Sequence, residues 1–283
     1  MESYVERPPL PQLAGVVRTV WIQRTGESAY VQRHLPTGGV EMHFPLGGFP
    51  QLVGPLTGPA IELIPPRTTL VGVRFCPGAA PPLPAMLDDL VDQRIRLEGL
   101  WGDVTDRLAD EAATPERALM LVQARLLREF RRTAGVDPLV GAAVRALMPW
   151  QPVSVDGLAA HLGLSASQLR RRCLHAVGVS PKVLQRTLRF QGFLALAQAG
   201  AVASGRRGAD GMAGPAVDVG YADQAHLSRE CLRLTGLTPG ALLGGEVDRC
   251  ACGHDHSASY RPFLAASGLS MRDLFKPARS SRA

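Results

Sequence analysis

Residues 154–177 carry the sequence feature that most constrains the fold. Two short amphipathic helical patterns flank Gly163, which can adopt the positive φ that ends a helix. Ser165 is followed three residues later by Gln168, and this spacing matches a capping box that starts a new helix. The segment therefore predicts two helices joined by a tight turn.

The second of these predicted helices has a cationic outward face. Ser167, Arg170 and Arg171 occupy positions i, i+3 and i+4 near its N-terminal end, while Leu169 and Cys173 face inward. A recognition helix presents this end to the base edges of DNA. A solvated arginine face on an ordinary helical hairpin is the alternative, but the turn and capping box favour recognition.

Residues 219–239 contain a second pattern of the same kind. Gly220 supplies a turn and Asp223 an N-cap for a helix over 223–235. The outward residues that matter for recognition are Gln224, Ala225 and Arg229. Glutamine suits adenine, arginine suits guanine, and alanine suits the methyl group of thymine.

These motifs resemble the C-terminal signature of AraC/XylS-type transcription regulators. The resemblance lies in residues 220–229 (GYADQAHLSR), 235–239 (TGLTP) and 177–181 (VGVSP). It implies that two helix-turn-helix units, joined by a long helix, read successive segments of the major groove. By resemblance, the residues that contact bases are Ser167, Arg170, Arg171, Gln224, Ala225 and Arg229. Lys182 is expected to contact the DNA backbone.

The segment between the two units supports this arrangement. Residues 182–199 would form a helix of about 27 Å, near the roughly 34 Å of one DNA turn. A glycine-rich loop is predicted over 200–214, so the next helix can start only near Pro215 and has barely one turn. We therefore expect the second unit to be less rigid than the first.

The N-terminal part has a different pattern. Strands are predicted over 16–22, 40–44 and 68–75, and helices over 83–90 and 115–132. The fold class is thus α+β: a small sheet or partial barrel with helices, then an all-α double helix-turn-helix domain. The predicted division is 1–136 as a sensor domain, 137–245 as the DNA-binding domain and 246–283 as a polar tail. Residues 34–42, 53–55, 72–80 and 100–102 resemble the sensor half of AraC-type regulators with a cupin-like partial barrel.

Four polar residues of this half are candidates for a ligand site: His34, Glu41, His43 and Arg74. Glu41 and His43 share one strand face and could line the barrel interior. Three interpretations stay open for the set: a polar ligand pocket, a cupin-like metal site, or ordinary paired surface groups.

The tail holds four potential metal ligands at alternate positions: Cys250, Cys252, His254 and His256. Thiolate and imidazole suit Zn²⁺ or Cu⁺, although a single extended segment is an unusual structural zinc site. The alternatives are a redox pair of cysteines or a tail that docks on the core. Apart from this possibility of zinc, no cofactor is expected.

Composition and charge agree with a soluble cytoplasmic protein that binds a polyanion. The formal net charge is +6, and residues 138–245 carry 11 Lys/Arg against 5 Asp/Glu. No signal peptide or membrane helix is expected, and no nucleophile elbow, Walker loop, dinucleotide fingerprint or HExxH motif occurs, so the chain is predicted not to be an enzyme. The expected partners are double-stranded DNA and an unknown small-molecule effector, with RNA polymerase and a second copy of the chain as further candidates. The alternative function is a metal- or redox-sensing regulator that uses the tail cluster.

Overall fold

The computed structural model describes residues 2–83, 85–97, 114–132, 135–150, 153–204, 213–244 and 256–266. Eight strands lie in the N-terminal half: β1 Ser3–Arg7, β2 Val17–Arg24, β3 Tyr30–His34, β4 Glu41–Pro45, β5 Gln51–Val53, β6 Ala60–Ile64, β7 Thr69–Phe75 and β8 Arg94–Arg96. The helices follow: α1 Pro115–Arg132, α2 Pro138–Ala146, α3 Val155–His161, α4 Ala166–Val177, α5 Pro181–Ser204, α6 Ala213–Asp218, α7 Gln224–Thr235, α8 Pro239–Gly244 and α9 Ser257–Ala266.

The strands form two antiparallel sheets. Six strands pair in the order β1-β2-β7-β4-β5-β8, and β3 pairs with β6 as a separate two-stranded sheet. The β-branched central strands β2 and β7 bury both faces, and Trp21 of β2 lies over Gly72 of β7, where a Cβ atom would come within 2.0 Å of the indole. The predicted α+β fold class is confirmed.

The core of this half lies between the six-stranded sheet and α1. Val20, Met42 and Val73 of the sheet belong to the same buried cluster as Val122 and Leu126 of the helix. The helical periodicity predicted for 115–132 is confirmed, and the Thr114 hydroxyl accepts a hydrogen bond from the Arg117 amide as its cap.

Two predictions for this half were wrong. Residues 87–92 form successive turns rather than part of a helix over 83–90, because bonds such as Leu90 N to Leu87 O span only three residues. The sequence reading also missed five strands, namely β1, β3, β5, β6 and β8. The strands β5 and β8 have three residues each, which is too few to show an alternation of apolar and polar residues.

The helix α5 organises the C-terminal half. Its N-terminal part supplies Leu184 and Leu188 to the core of the first helix-turn-helix unit. Its C-terminal part supplies Phe190 and Phe193 to the core of the second. With 24 residues, the helix is about 36 Å long and continues past Ala199, into the predicted loop.

The predicted polar tail contains the helix α9, which the sequence reading missed. Phe263 is buried in the first unit's core, and the indole of Trp150 donates a hydrogen bond to its carbonyl oxygen at 2.8 Å. The helix contacts α5 on one side and β1 and β2 on the other. This segment therefore joins the two halves of the molecule. In the part of the chain that the structure describes, every helix is too short or too polar to cross a lipid bilayer.

Candidate nucleic-acid interface and ligand cavity

The first helix-turn-helix unit is built from α3 and α4. The Ser154 hydroxyl accepts a hydrogen bond from the Gly157 amide and so caps α3. Gly163 makes the turn with φ +67°. Ser165 and Gln168 form the predicted capping box, since each side chain accepts a hydrogen bond from the other residue's amide, at 3.2 and 2.8 Å. The local sequence therefore sets the geometry of the unit.

The helix α4 separates its faces as expected. Leu169 and Cys173 are fully buried, whereas Ser167, Arg170 and Arg171 are exposed. The neighbouring Arg172 forms an ion pair with the N-cap of α2, Asp137, at 2.6 Å. It therefore connects α4 to α2, while Arg170 and Arg171 are the cations of the predicted recognition face.

The second unit is built from α6 and α7. Gly220 makes the turn with φ +86°, and the Asp223 carboxylate accepts a hydrogen bond from the His226 amide at 2.6 Å. Gln224, Ala225 and Arg229 are exposed, as is Lys182 at the start of α5. The opposite face of α7 is buried through Leu227, Cys231 and Leu234. The base and backbone contacts of these residues stay predictions.

The predicted ligand residues lie on neighbouring strands of the sensor half. Arg74 of β7 pairs with Glu41 of β4 through its Nε at 2.8 Å and with Glu6 of β1 through its Nη1 at 2.8 Å. His43 lies behind Glu41, with its Nε2 3.4 Å from the carboxylate. His34 contacts Glu62 at 2.7 Å. The structure thus brings the four predicted residues into one polar region.

This region is buried, and its charges are balanced by pairing. Burial alone would raise the pKa of Glu41, but Arg74 and the hydrogen bond from His43 hold it well below its usual value. Burial likewise opposes ionisation of Glu6, yet the charge of Arg74 and the hydrogen bond of His256 keep its pKa low. Burial lowers the pKa of His43.

A cavity of about 140 Å³ lies beside this region, between the two halves of the chain. Its walls include residues of both sensor sheets, of α5, of α8 and of α9, among them Arg18, Trp21, His34, Glu41, Arg74, Gln191, Leu242 and Ser259. An engineered apolar cavity of about 150 Å³ holds one benzene molecule. The volume therefore suits a small ligand.

Arg18, which the sequence reading missed, is the most unusual residue of the cavity. It is 6% exposed, and its guanidinium donates to the Ser259 carbonyl at 2.6 Å and to the Gln191 amide oxygen at 2.8 Å. Burial and the nearby Arg74 lower its pKa to about 10. Within the described residues no carboxylate forms an ion pair with it. Only its position among apolar strand residues could have indicated this role.

The tail cluster is described at one of its four positions. Cys250, Cys252 and His254 lie outside the described residues. The Nδ1 atom of His256 is 2.9 Å from Glu6, and Ser259 hydrogen-bonds to both Glu6 and Arg74. His256 is thus part of the junction between the halves, and metal binding by the cluster stays a prediction.

Comparisons with known proteins agree with this geometry. Residues 158–244 match a family described as a helix-turn-helix domain, and residues 5–96 match a domain of unknown function (DUF6597). The C-terminal part of the chain thus contains a helix-turn-helix domain of the AraC type, which confirms the prediction for this domain and supports a role as a DNA-binding transcription regulator.

The chain is also similar to solved structures of one protein, ToxT. A crystal structure of ToxT from Vibrio cholerae O395 has 11% sequence identity and a TM-score of 0.44, and the match covers 86% of this chain and 97% of that chain. A second ToxT structure, at 1.65 Å resolution, has 10% identity and a TM-score of 0.44, with 86% and 98% covered. No curated protein matched the chain by sequence.

Proposed function

We propose that the protein is a one-component cytoplasmic regulator whose interdomain cavity binds a small anion and thereby alters how the second helix-turn-helix unit meets DNA. The observation that carries this proposal is the cavity shared by both halves, with the buried Arg18 on its wall. Homodimerisation and contact with RNA polymerase stay predictions.

The DNA-binding part of the proposal rests on the exposed faces of α4 and α7. Arg171 and Arg229 lie on these faces, where each can bind a guanine through two hydrogen bonds. Lys182 is exposed at the start of α5, between the two units, and it suits a phosphate contact. Arg171 and Arg229 thus supply sequence discrimination, and Lys182 supplies affinity.

Competition binding on a selected operator tests these roles. Arg171→Ala and Arg229→Ala should each lose about 1–3 kcal/mol of discrimination at one base position. Lys182→Ala should weaken binding to all sequences alike and reduce the salt slope by about 0.9. Arg67→Ala, an exposed arginine of the sensor half, is the matched control and should change neither. Sequence-independent binding by the unaltered protein would contradict the proposal.

The effector class follows from the charges around the cavity. Arg74 is neutralised by Glu6 and Glu41, whereas Arg18 is held by two backbone carbonyls, an amide oxygen and the rings of Tyr260 and Phe263. A buried cation without a carboxylate partner is costly, and an anionic ligand would offset this cost. The structure therefore favours a small carboxylate or a similar anion over a neutral ligand.

Thermal unfolding with matched ligands tests the effector class. Acetate, butyrate and hexanoate form a series of carboxylates, and butyramide is the neutral partner of butyrate. At least one carboxylate should raise Tm in the unaltered protein, and butyramide should not. Arg18→Met should abolish the shift, and because it removes a buried charge it need not unfold the chain. Equal stabilisation by the amide, or none by the series, would contradict an anionic effector.

A further inference from the structure

Three polar side chains from three different strands meet beside the cavity. His34 lies on β3, His43 on β4 and Glu62 on β6, and one potential ligand atom from each lies within 4.8 Å of the other two. Two imidazoles and one carboxylate form the donor set of many Zn²⁺ and Fe²⁺ sites that keep an open coordination position. We propose that His34, His43 and Glu62 bind a first-row divalent metal ion.

The three ligands are held by the sheet. The side chain of His43 is 2% exposed, and its ring lies 5.0 Å from Trp21 and 5.1 Å from His34, centroid to centroid. His34 and Glu62 are diagonal neighbours across the β3–β6 strand pair, since Glu62 is opposite Gln32. Donor atoms of a tetrahedral zinc site are roughly 3.3 Å apart, so small side-chain rotations would close the set.

The contacts of His34 conflict with each other in the absence of a metal ion. Its Nε2 atom is 2.7 Å from a carboxylate oxygen of Glu62 and 3.3 Å from Nη2 of Arg94. If Nε2 carries a proton, it donates to Glu62 but faces the N–H of Arg94. If it carries none, it accepts from Arg94 but its lone pair faces the carboxylate. A metal ion would satisfy the lone pair and the carboxylate together.

His43 shows a complementary feature. Its Nε2 lies 3.4 Å from Glu41, and its Nδ1 is buried with no hydrogen-bond partner among the described residues. An unpaired buried nitrogen is unfavourable. A metal ligand often donates its other ring N–H to a carboxylate, which orients the imidazole. Glu41 can play this part for His43 when Nδ1 binds the metal.

Arg94 occupies the position of the cation. Its guanidinium binds both oxygens of Glu62, at 2.6 and 2.8 Å, and also contacts Gln51 at 2.7 Å. The Arg94 side chain is 28% exposed, so it can turn toward water when its bonds to Glu62 break. The proposed metal ion and Arg94 therefore compete for the same carboxylate.

Titration of the full-length, metal-stripped protein with Co²⁺ and Zn²⁺ tests the proposal. We expect one equivalent to bind and the Co²⁺ absorption spectrum to lack a thiolate charge-transfer band. Glu62→Gln should weaken binding at least about tenfold, since weaker changes in supporting residues already cost about 10–100-fold. Arg94→Ala should strengthen binding about two- to fivefold, because it removes the competing ion pair. His161→Ala, which alters an exposed histidine of α3, is the control and should have no effect.

A second variant tests whether the tail cysteines, and not this site, bind the metal ion. In Cys250→Ser/Cys252→Ser, binding and the spectrum should be retained. A thiolate band that disappears in this double variant, or binding that Glu62→Gln leaves unchanged, would overturn the assignment, as would no binding at all. If Glu62→Gln fails to fold by circular dichroism, Arg94→Ala decides: unchanged or weaker binding in that variant would overturn it. None of these results depends on DNA binding or on the anionic effector.

Discussion

The two helix-turn-helix units share the helix α5, but the sensor half holds them in different ways. At the end of α4, Gly178 lies against the loop before β8, and a Cβ atom there would be 2.7 Å from both the Leu87 carbonyl oxygen and Pro55. At the end of α7, the Arg33 side chain donates a hydrogen bond to the Thr235 carbonyl at 2.9 Å. The first unit therefore meets the sensor half through close backbone packing, and the second through the Arg33 hydrogen bond and looser side-chain contacts such as that of Leu35.

This difference indicates which unit can respond to a ligand. Arg33 precedes His34 on β3, and both residues line the interdomain cavity, as do Leu242 and Leu243 of α8. Backbone packing leaves little room for adjustment, whereas a side-chain hydrogen bond can break and form again at a net cost of about 1 kcal/mol. An effector in the cavity would thus act on the second unit, with the first as a fixed reference.

The largest expected effect comes from the glycines that end the two recognition helices. Gly178 and Gly236 both adopt positive φ, so alanine costs roughly 1–2 kcal/mol at either position. Gly178→Ala also drives a Cβ atom into backbone, which adds about 1–3 kcal/mol. At Gly236 the nearest atom is Nη1 of Arg33, at 3.4 Å, which can move. Urea unfolding should therefore show a larger loss for Gly178→Ala.

Gly163→Ala is the control for this pair. Gly163 also has positive φ, but a Cβ atom added there would meet no other atom within 4 Å, so this variant reports the conformational cost alone. Gly236→Ala should resemble it. Equal losses of unfolding free energy for Gly178→Ala and Gly236→Ala would show that the sensor half packs equally closely against both units, which would contradict the proposed difference between them.

The next effect concerns rigidity. The helix α6 has six residues and includes Gly214 and Pro215, whereas α3 is capped at its N-terminus by Ser154. Glycine costs roughly 1 kcal/mol in a helix, and a helix of six residues has few hydrogen bonds of its own, so amide hydrogen exchange should be faster in α6 and α7 than in α3 and α4. Equal protection of the two units would refute this prediction.

The helices of the DNA-binding half could be predicted because their signals are local. A capping box, a glycine at positive φ and a 3.6-residue period all lie within a few residues of the helix ends that they determine. The predicted end of the linking helix was wrong by five residues, since Gly200 does not interrupt it. The start near Pro215 was close to Ala213, where α6 begins.

The sensor site was only partly predictable because its geometry is non-local. Glu41 and His43 are two residues apart on one strand, and this spacing indicated a shared face. Glu62 and Arg18 carry no such signal, since strand pairing and the packing of α9 bring them to the site. The helix α9 itself has an apolar stripe, but Pro262 and the nearby cysteines and histidines obscured it.

The smallest expected effect belongs to the contact that we infer carries the signal. Arg33→Ala removes the hydrogen bond to Thr235, and the net loss should be about 1 kcal/mol. Hydrogen exchange should increase at the C-terminal end of α7 and remain unchanged in α4. Arg172→Ala removes the ion pair between α4 and Asp137. In this variant, hydrogen exchange should increase in α4 and remain unchanged at the C-terminal end of α7.

The functional result of Arg33→Ala separates a signalling contact from a merely stabilising one. If the contact transmits the effector signal, the variant should bind operator with an affinity that no longer changes when a carboxylate ligand is added. Arg33→Lys retains a donor on a long side chain and should restore part of the response. A normal response in Arg33→Ala would show that the signal takes another route, of which the contact of α8 with the cavity is the next to test.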